Sequence, residues 1–151
     1  MTTVRAAEPR DIDDWVRMRS ALWPDDLEEH RGSADRFFTG HRHEPAEVLL
    51  AFDDEARAIG FVELSIRNIV DSCTSDRVAY LEGWYVDPSA RRRGVGAALI
   101  AGAERWALQQ GCTEFGSDSL IGNEISERAH LALGFAETCR VVNFRKDLAP
   151  R

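Results

Sequence analysis

The sequence contains no apolar run close to the roughly 20 residues that a membrane-spanning helix requires, so no such helix is expected. Its opening stretch, MTTVRAAEPRDIDDW, carries acidic residues where a signal peptide needs an apolar centre, and export by that route is not expected. Cysteine is scarce. Cys73, Cys112 and Cys139 are odd in number and widely spaced, which suggests neither a disulfide framework nor a zinc site. No base lies near them in sequence, so inert thiols in a reducing cytoplasm are the simplest reading. Positive charge is also short, with a formal net charge of −7. Nucleic acid as the main partner needs a basic face and is disfavoured, whereas a small cationic partner suits this balance. No repeat, low-complexity segment or second domain is evident.

The composition, 44% apolar and 30% charged over 151 residues, fits one globular domain spanning 1–151 with a real core. Thr2–Ala7 reads as a strand. Pro9 opens a helix in which Ile12, Trp15, Val16, Arg19 and Leu22 recur at helical spacing, and Trp23-Pro24 ends it. Ser33 is positioned to cap a short second helix through Phe37 and Phe38. Glu47–Phe52 and Ala58–Ile66 read as a hairpin around Asp53-Asp54-Glu55, and Arg67–Arg77 as a long polar loop. Val78–Val86 is the most strand-like stretch. Val95, Leu99, Ala103, Trp106 and Ala107 mark a helix that stops at Gly111. Thr113–Ser117 is a short strand. Asn123–Leu133 is a helix with Ile125, Ala129, Ala132 and Leu133 inward and Gly134 as its stop, and Ala136–Leu148 gives one or two final strands. The fold class is α/β in the α+β sense: a mixed, mostly antiparallel sheet flanked by helices, in the order β-α-α-β-β-β-α-β-α-β.

One segment carries chemistry. After Val86, Asp87-Pro88-Ser89 breaks the strand; Arg91, Arg92 and Arg93 follow, then Gly94-Val95-Gly96, then a helical pattern. A strand, a glycine-bearing turn and a helix start direct backbone N–H groups at an anion, and nearby arginines add charge-assisted hydrogen bonds. Glu82 lies inside the strand, where a charge is costly unless it is paired or faces a cleft. It faces solvent, pairs with an arginine or meets a cationic ligand. Asp118, between Ser117 and Ser119, is a turn or cap residue or a second ligand carboxylate. Trp23 is core or a wall of a binding cleft. Asn123 is placed to cap the helix after it, and the acidic run at Asp25, Glu28 and Glu29 reads as a solvated face.

Arg91-x-x-Gly94-x-Gly96 resembles the Arg/Gln-x-x-Gly-x-Gly/Ala signature of the Gcn5-related N-acetyltransferases (GNAT), in which this loop holds the pyrophosphate of acetyl-coenzyme A. Leu133-Gly134-Phe135 is similar to the pair that often closes a helix in that family. Leu22-Trp23-Pro24, Leu81-Glu82-Gly83, Ser65-Ile66-Arg67, and Ser117-Asp118 with Asn123, Ser126 and His130 look like the aminoglycoside 6′-N-acetyltransferase branch. The chain departs from common family patterns at His130, where a tyrosine is frequent, at Phe144, and in Asn68–Asp76, which holds no aromatic residue.

The resemblance implies a single GNAT domain that transfers acetyl from acetyl-CoA directly to a primary amine of a small cationic substrate, foremost the 6′-amine of an aminoglycoside, with no metal and no acyl-enzyme. It implies cofactor contacts from Tyr85, Val86, Arg91, Arg92, Arg93, Gly94, Val95, Gly96, Asn123 and His130, and an oxyanion donor from the backbone of Tyr85 or Val86. Substrate contacts fall to Trp23, Glu82, Asp118 and Glu137, with Glu82, Asp118 and Val86 as the catalytic set. A homodimer is expected, built on the apolar end strand with Val141, Val142 and Phe144. Two alternatives stay open: another acceptor, such as a polyamine, an amino-acid derivative or a peptide amine, and a module that binds acyl-CoA without turnover.

Overall fold

Near-continuous apolar runs in three consecutive segments, buried through most of their length, build the centre of the protein. In the computed structural model, which describes residues 1–40 and 45–149, these are β2 (Glu47–Phe52), β3 (Ala58–Arg67) and β4 (Val78–Val86). With β1 (Thr3–Ala6) and β5 (Phe115–Ser117) they form a five-stranded sheet in the order β1-β2-β3-β4-β5. Neighbouring strands are antiparallel except for the parallel pair β4–β5.

The chain divides into two compact units, Met1–Asp118 and Ser119–Arg151. The first contains the sheet, α1 (Ile12–Leu22), α2 (Leu27–Phe38) and α3 (Val95–Gln109). One face of its sheet is covered by α1 and α2. Trp15, Met18, Ala34 and Phe37 interlock there with Val48, Leu50, Phe61 and Tyr85. The α3 helix covers the other face, where Val95 and Leu99 pack so closely on Gly60 that a Cβ would stand 3.1 Å from Leu99 and 2.8 Å from the Tyr85 carbonyl.

Pro9 opens a single 3₁₀ turn, Pro9–Asp11, which leads into α1; Glu8 and Asp11 cap it reciprocally. Arg5 locks Asp11 with hydrogen bonds of 2.7 and 3.0 Å. The second helix begins at Leu27, not after Ser33, because its buried positions His30, Ala34 and Phe37 already form one stripe from the first turn. Ser33 is therefore mid-helix and caps nothing.

The second unit holds α4 (Glu124–Ala132), capped by the Asn123 side chain, which accepts from Ser126 N–H at 3.2 Å. Gly134 follows it at φ +93°, a left-handed stop. Two expectations fail here. Ile125 is 78% exposed, and none of the α4 residues is buried. Ala136–Leu148 contains no strand. A strand exists only with a partner ladder, and the apolar character of Val141, Val142 and Phe144 cannot name one; all three are exposed. The final β of the anticipated order is absent among the described residues.

Candidate active site

The site lies on the β3–β4 surface that also bears the α1–α2 core. Polar residues interrupt that surface at one end: Glu63, Ser65 and Arg67 alternate along β3. On β4 the register skips. Glu63 pairs with Gly83 and Leu64 with Leu81, leaving Glu82 as the extra residue of a β-bulge. Bulges re-aim side chains. This one turns Glu82 to the same surface as Ser65 and Arg67.

Glu82 is half-buried and fully engaged. The Arg67 Nε and Nη2 groups donate to its two carboxylate oxygens at 2.9 and 2.7 Å, and the Ser65 hydroxyl donates to Oε2. Glu82 thus pairs with an arginine, and the pairing holds the carboxylate in one orientation. The same guanidinium lies 3.6 Å from the centroid of the Tyr80 ring. The Tyr80 hydroxyl donates to Asp118 Oδ2 at 2.5 Å. Burial, with Asp118 as its acceptor, pushes the Tyr80 phenol well above its usual range, so it is a neutral donor. Glu82, Arg67, Tyr80 and Asp118 thus form one connected set, with a carboxylate at each end. Gly116 makes room for it: a Cβ there would stand 3.0 Å from the Tyr80 ring.

Trp23 stands beside this set, with the edge of its indole against Gly83, where a Cβ would meet Cη2 at 2.6 Å. Phe61 meets it edge-on at 6.3 Å and His30 stacks at 6.4 Å. It is half-buried: it packs on the core and keeps part of its surface outward.

The arginine- and glycine-bearing loop follows β4, whose last residues lie beyond its pairing with β5. That pairing runs only from Ala79–Phe115 to Leu81–Ser117, so from Glu82 onward that edge of β4 has no partner strand among the described residues. Asp87 N–H bonds to Ile59 O at 2.8 Å, on the β3 side. Backbone groups of successive strand residues point to opposite edges, so Val86 N–H faces the open edge and Tyr85 N–H faces β3. Val86, not Tyr85, is therefore the available backbone donor. Tyr85 is instead a core residue, packed at 6.0 Å on Phe61. Arg91 folds back, its Nε–H donating to Val86 O at 3.0 Å, which ties the loop to the strand end.

Arg92 (φ +64°) and Gly94 (φ +79°) take left-handed conformations that bend the chain into α3. The first helical hydrogen bond runs from Ala98 to Gly94 O, so the N–H groups of Val95, Gly96 and Ala97 precede it at the helix mouth. No side chain caps this end. Arg92 and Arg93 are exposed and make no ion pair with described residues. Gly96 lets the helix start close over Trp84, 3.2 Å from the position of a Cβ. An uncapped helix start, free cations and glycines at the points of close approach are what a diphosphate requires, so these residues fit the anion of coenzyme A.

The Acetyltransferase (GNAT) family profile matches residues 13–135. The chain belongs to this family. It is 50% identical over 146 residues to the aminoglycoside N(6′)-acetyltransferase type 1 of Klebsiella aerogenes, covering 96% of each chain. It is 42% identical to the enzyme of the same name from Serratia marcescens, over 91% of this chain and 93% of that one. Among solved structures, AAC(6′)-Iy in complex with the bisubstrate analog CoA-S-monomethyl-acetylneamine superposes with a TM-score of 0.90 at 37% identity, covering 98% of this chain and 99% of that one.

The remaining expected site residues of this GNAT protein lie in the second unit. Asn123 spends its side chain on the α4 cap. His130 Nδ1–H donates to the Ser126 carbonyl at 2.7 Å, and its ring meets Phe135 edge-on at 5.1 Å. Glu137 pairs with Arg140, which holds its carboxyl below the usual range. Cys73, Cys112 and Cys139 are free thiols. Among the described residues no cluster of His, Cys, Asp and Glu could hold a metal, and no helix is long and apolar enough to cross a membrane. Sequence reasoning missed Arg67 and Tyr80 as members of the site. The available signal was the polar alternation Glu63-Ser65-Arg67 on an otherwise apolar strand, opposite Tyr80 and Glu82.

Proposed function

We propose that this protein transfers the acetyl group of acetyl-CoA to the 6′-amine of an aminoglycoside. The observation that carries the reading is the pair of carboxylates, Glu82 and Asp118, at the two ends of one set joined by hydrogen bonds and the stacking of Arg67 on Tyr80, beside Trp23 and next to the open edge of β4. An aminoglycoside carries several ammonium groups on sugar rings, and this surface offers anions for the former and an aromatic wall for the latter. The names of the related enzymes and the acetylneamine analog bound by AAC(6′)-Iy agree with that acceptor.

Acetyl-CoA supplies an activated thioester carbonyl. The protein's part is to bind, align and move a proton. Glu82 and Asp118 hold the incoming ammonium, and one of them, through water, takes the proton that frees its lone pair. The amine nitrogen bonds to the carbonyl carbon and the carbon–sulfur bond breaks; the nitrogen gives up its second proton to water as the amide forms, and the departing thiolate takes a proton from solvent, so one proton is released overall. Val86 N–H is placed to stabilise the oxygen charge that develops between those events. Alignment of two bound reactants supplies much of the acceleration, so no single strong base is required. The expected compartment is the cytoplasm. The exposed Val141, Val142 and Phe144 are proposed as the element a second copy covers, giving a homodimer by strand pairing across subunits. Sedimentation at micromolar concentration should give the dimer mass, and a monomer would refute it.

The test of function is thiol release measured with paired aminoglycosides that differ only in a 6′-amine or a 6′-hydroxyl. Turnover confined to the 6′-amine compound is expected. Equal rates on both would remove the aminoglycoside 6′ assignment, and stronger activity on polyamines or peptide amines would reassign the acceptor. Acetyl-CoA binding without turnover of any amine would leave a non-catalytic module.

A further inference from the structure

Glu63 is a carboxylate in the middle of an apolar strand, 3% exposed, and the chemistry above does not use it. Its Oε2 accepts from Trp15 Nε1–H at 3.0 Å and lies 2.7 Å from Arg19 Nε. Burial pushes its carboxyl upward against the opposing pull of Arg19, Trp15 and His30. The Arg19 guanidinium is largely buried as well, with its carbon 5.0 Å from the centroid of the Trp23 ring and 5.9 Å from that of Trp15.

His30 secures the same indole from another side. It is 3% exposed, its Nε2–H donates to the Trp23 carbonyl at 2.7 Å, and its ring stacks on the indole. Gly83 receives the far edge of the ring. Buried ion pairs seldom add much net stability, because desolvation offsets their attraction. What this pair does supply is direction. Carboxylate, guanidinium and indole are held in one arrangement on the strand position opposite Gly83, one residue from Glu82.

We propose that Glu63 and Arg19 are positioning residues for the acceptor: Glu63 holds the Arg19 guanidinium against Trp23 and so fixes the indole as the wall on which an aminoglycoside ring lies beside Glu82. This rests on the reading of Trp23 as a substrate wall. An indole fixed before binding loses little side-chain freedom when the sugar arrives, so the pair lowers the KM for aminoglycoside and leaves acetyl-CoA binding alone.

The test compares Glu63→Gln, Arg19→Met and Arg19→Lys, each alone and in a Trp23→Ala background, by steady-state KM for both substrates. Glu63→Gln and Arg19→Met should each raise the aminoglycoside KM about tenfold, within the coupling range of contacting residues, with the acetyl-CoA KM unchanged. Arg19→Lys keeps the ion pair but not the flat group over the indole and should fall between. In the Trp23→Ala background none should add a further effect. Persistence of the full effect there, or a parallel rise in the acetyl-CoA KM, would overturn the proposal. Should Glu63→Gln not fold, the Arg19→Lys comparison alone decides. If Trp23→Ala by itself leaves the aminoglycoside KM unmoved, the substrate-wall reading fails and this inference with it. If Trp23→Ala raises that KM while the Glu63 and Arg19 variants do not, only the inference fails.

Discussion

Arg67 grips Glu82 with two nitrogens, Nε on one carboxylate oxygen at 2.9 Å and Nη2 on the other at 2.7 Å. The bulge that leaves Glu82 unpaired on β4 also puts it within this reach, fifteen residues along the chain. A carboxylate held this way is fixed in one orientation.

Replacing Glu82 by Gln keeps the shape and an acceptor for Ser65 but removes the charge. Hydrogen bonds to charged groups contribute about 1.5–3 kcal/mol. The aminoglycoside KM should rise roughly 10- to 100-fold, with acetyl-CoA affinity unchanged by calorimetry. Equal losses for both ligands would place Glu82 in general stability rather than acceptor binding.

Tyr80→Phe removes the donor to Asp118. The phenol is raised in the folded state, so its contribution to stability is whole below the ordinary tyrosine range near 10 and is lost as pH rises beyond it. The variant should lose less stability than the parent between about pH 10 and 11, measured by denaturant melts. Its aminoglycoside KM should also rise, because Asp118 is no longer aimed.

Glu114 ties down the long loop between β3 and β4: its carboxylate accepts from the backbone N–H groups of Thr74 and Ser75 at 2.7–3.1 Å. The Ser75 hydroxyl first, then the backbone N–H groups of Ser75 and Thr74, hold its carboxyl down to about 2. A depressed carboxyl stabilises the fold above its ordinary range, near 4.3, and that stability is lost as pH falls toward the depressed value. Glu114→Gln should flatten the stability profile between about pH 4.3 and 2, and hydrogen exchange at Thr74 and Ser75 should quicken.

Gly94 occupies a left-handed conformation at φ +79°, which costs another residue about 1–2 kcal/mol. Gly94→Ala should weaken coenzyme A binding by calorimetry at least about fivefold, while Ala at Gly40, also left-handed but outside the cofactor loop, should not.

Much of this was legible in the residues. Val78–Val86 and Glu47–Phe52 announce themselves by apolar content between turn residues, and both strands run over those bounds. The glycine-bearing turn into α3 is local, so a six-residue stretch displays it. The start of α2 was not legible, because its stripe of His30, Ala34 and Phe37 contains only two apolar residues behind an acidic first turn. The partnership of Tyr80 with Asp118, thirty-eight residues apart, is a product of β4–β5 pairing that no local pattern encodes. The bulge that aims Glu82 likewise exists only in the register of two strands. The end segment misled for the same reason, since apolar character states a readiness to pair but not a partner.

The central claim, that the 6′-amine is the group delivered to Glu82 and Asp118, is tested most directly by the structure of the product. After complete turnover of an aminoglycoside with several primary amines, NMR should show a single acetamide, on the 6′ nitrogen. Acetylation at another ring nitrogen, or at several without preference, would contradict it.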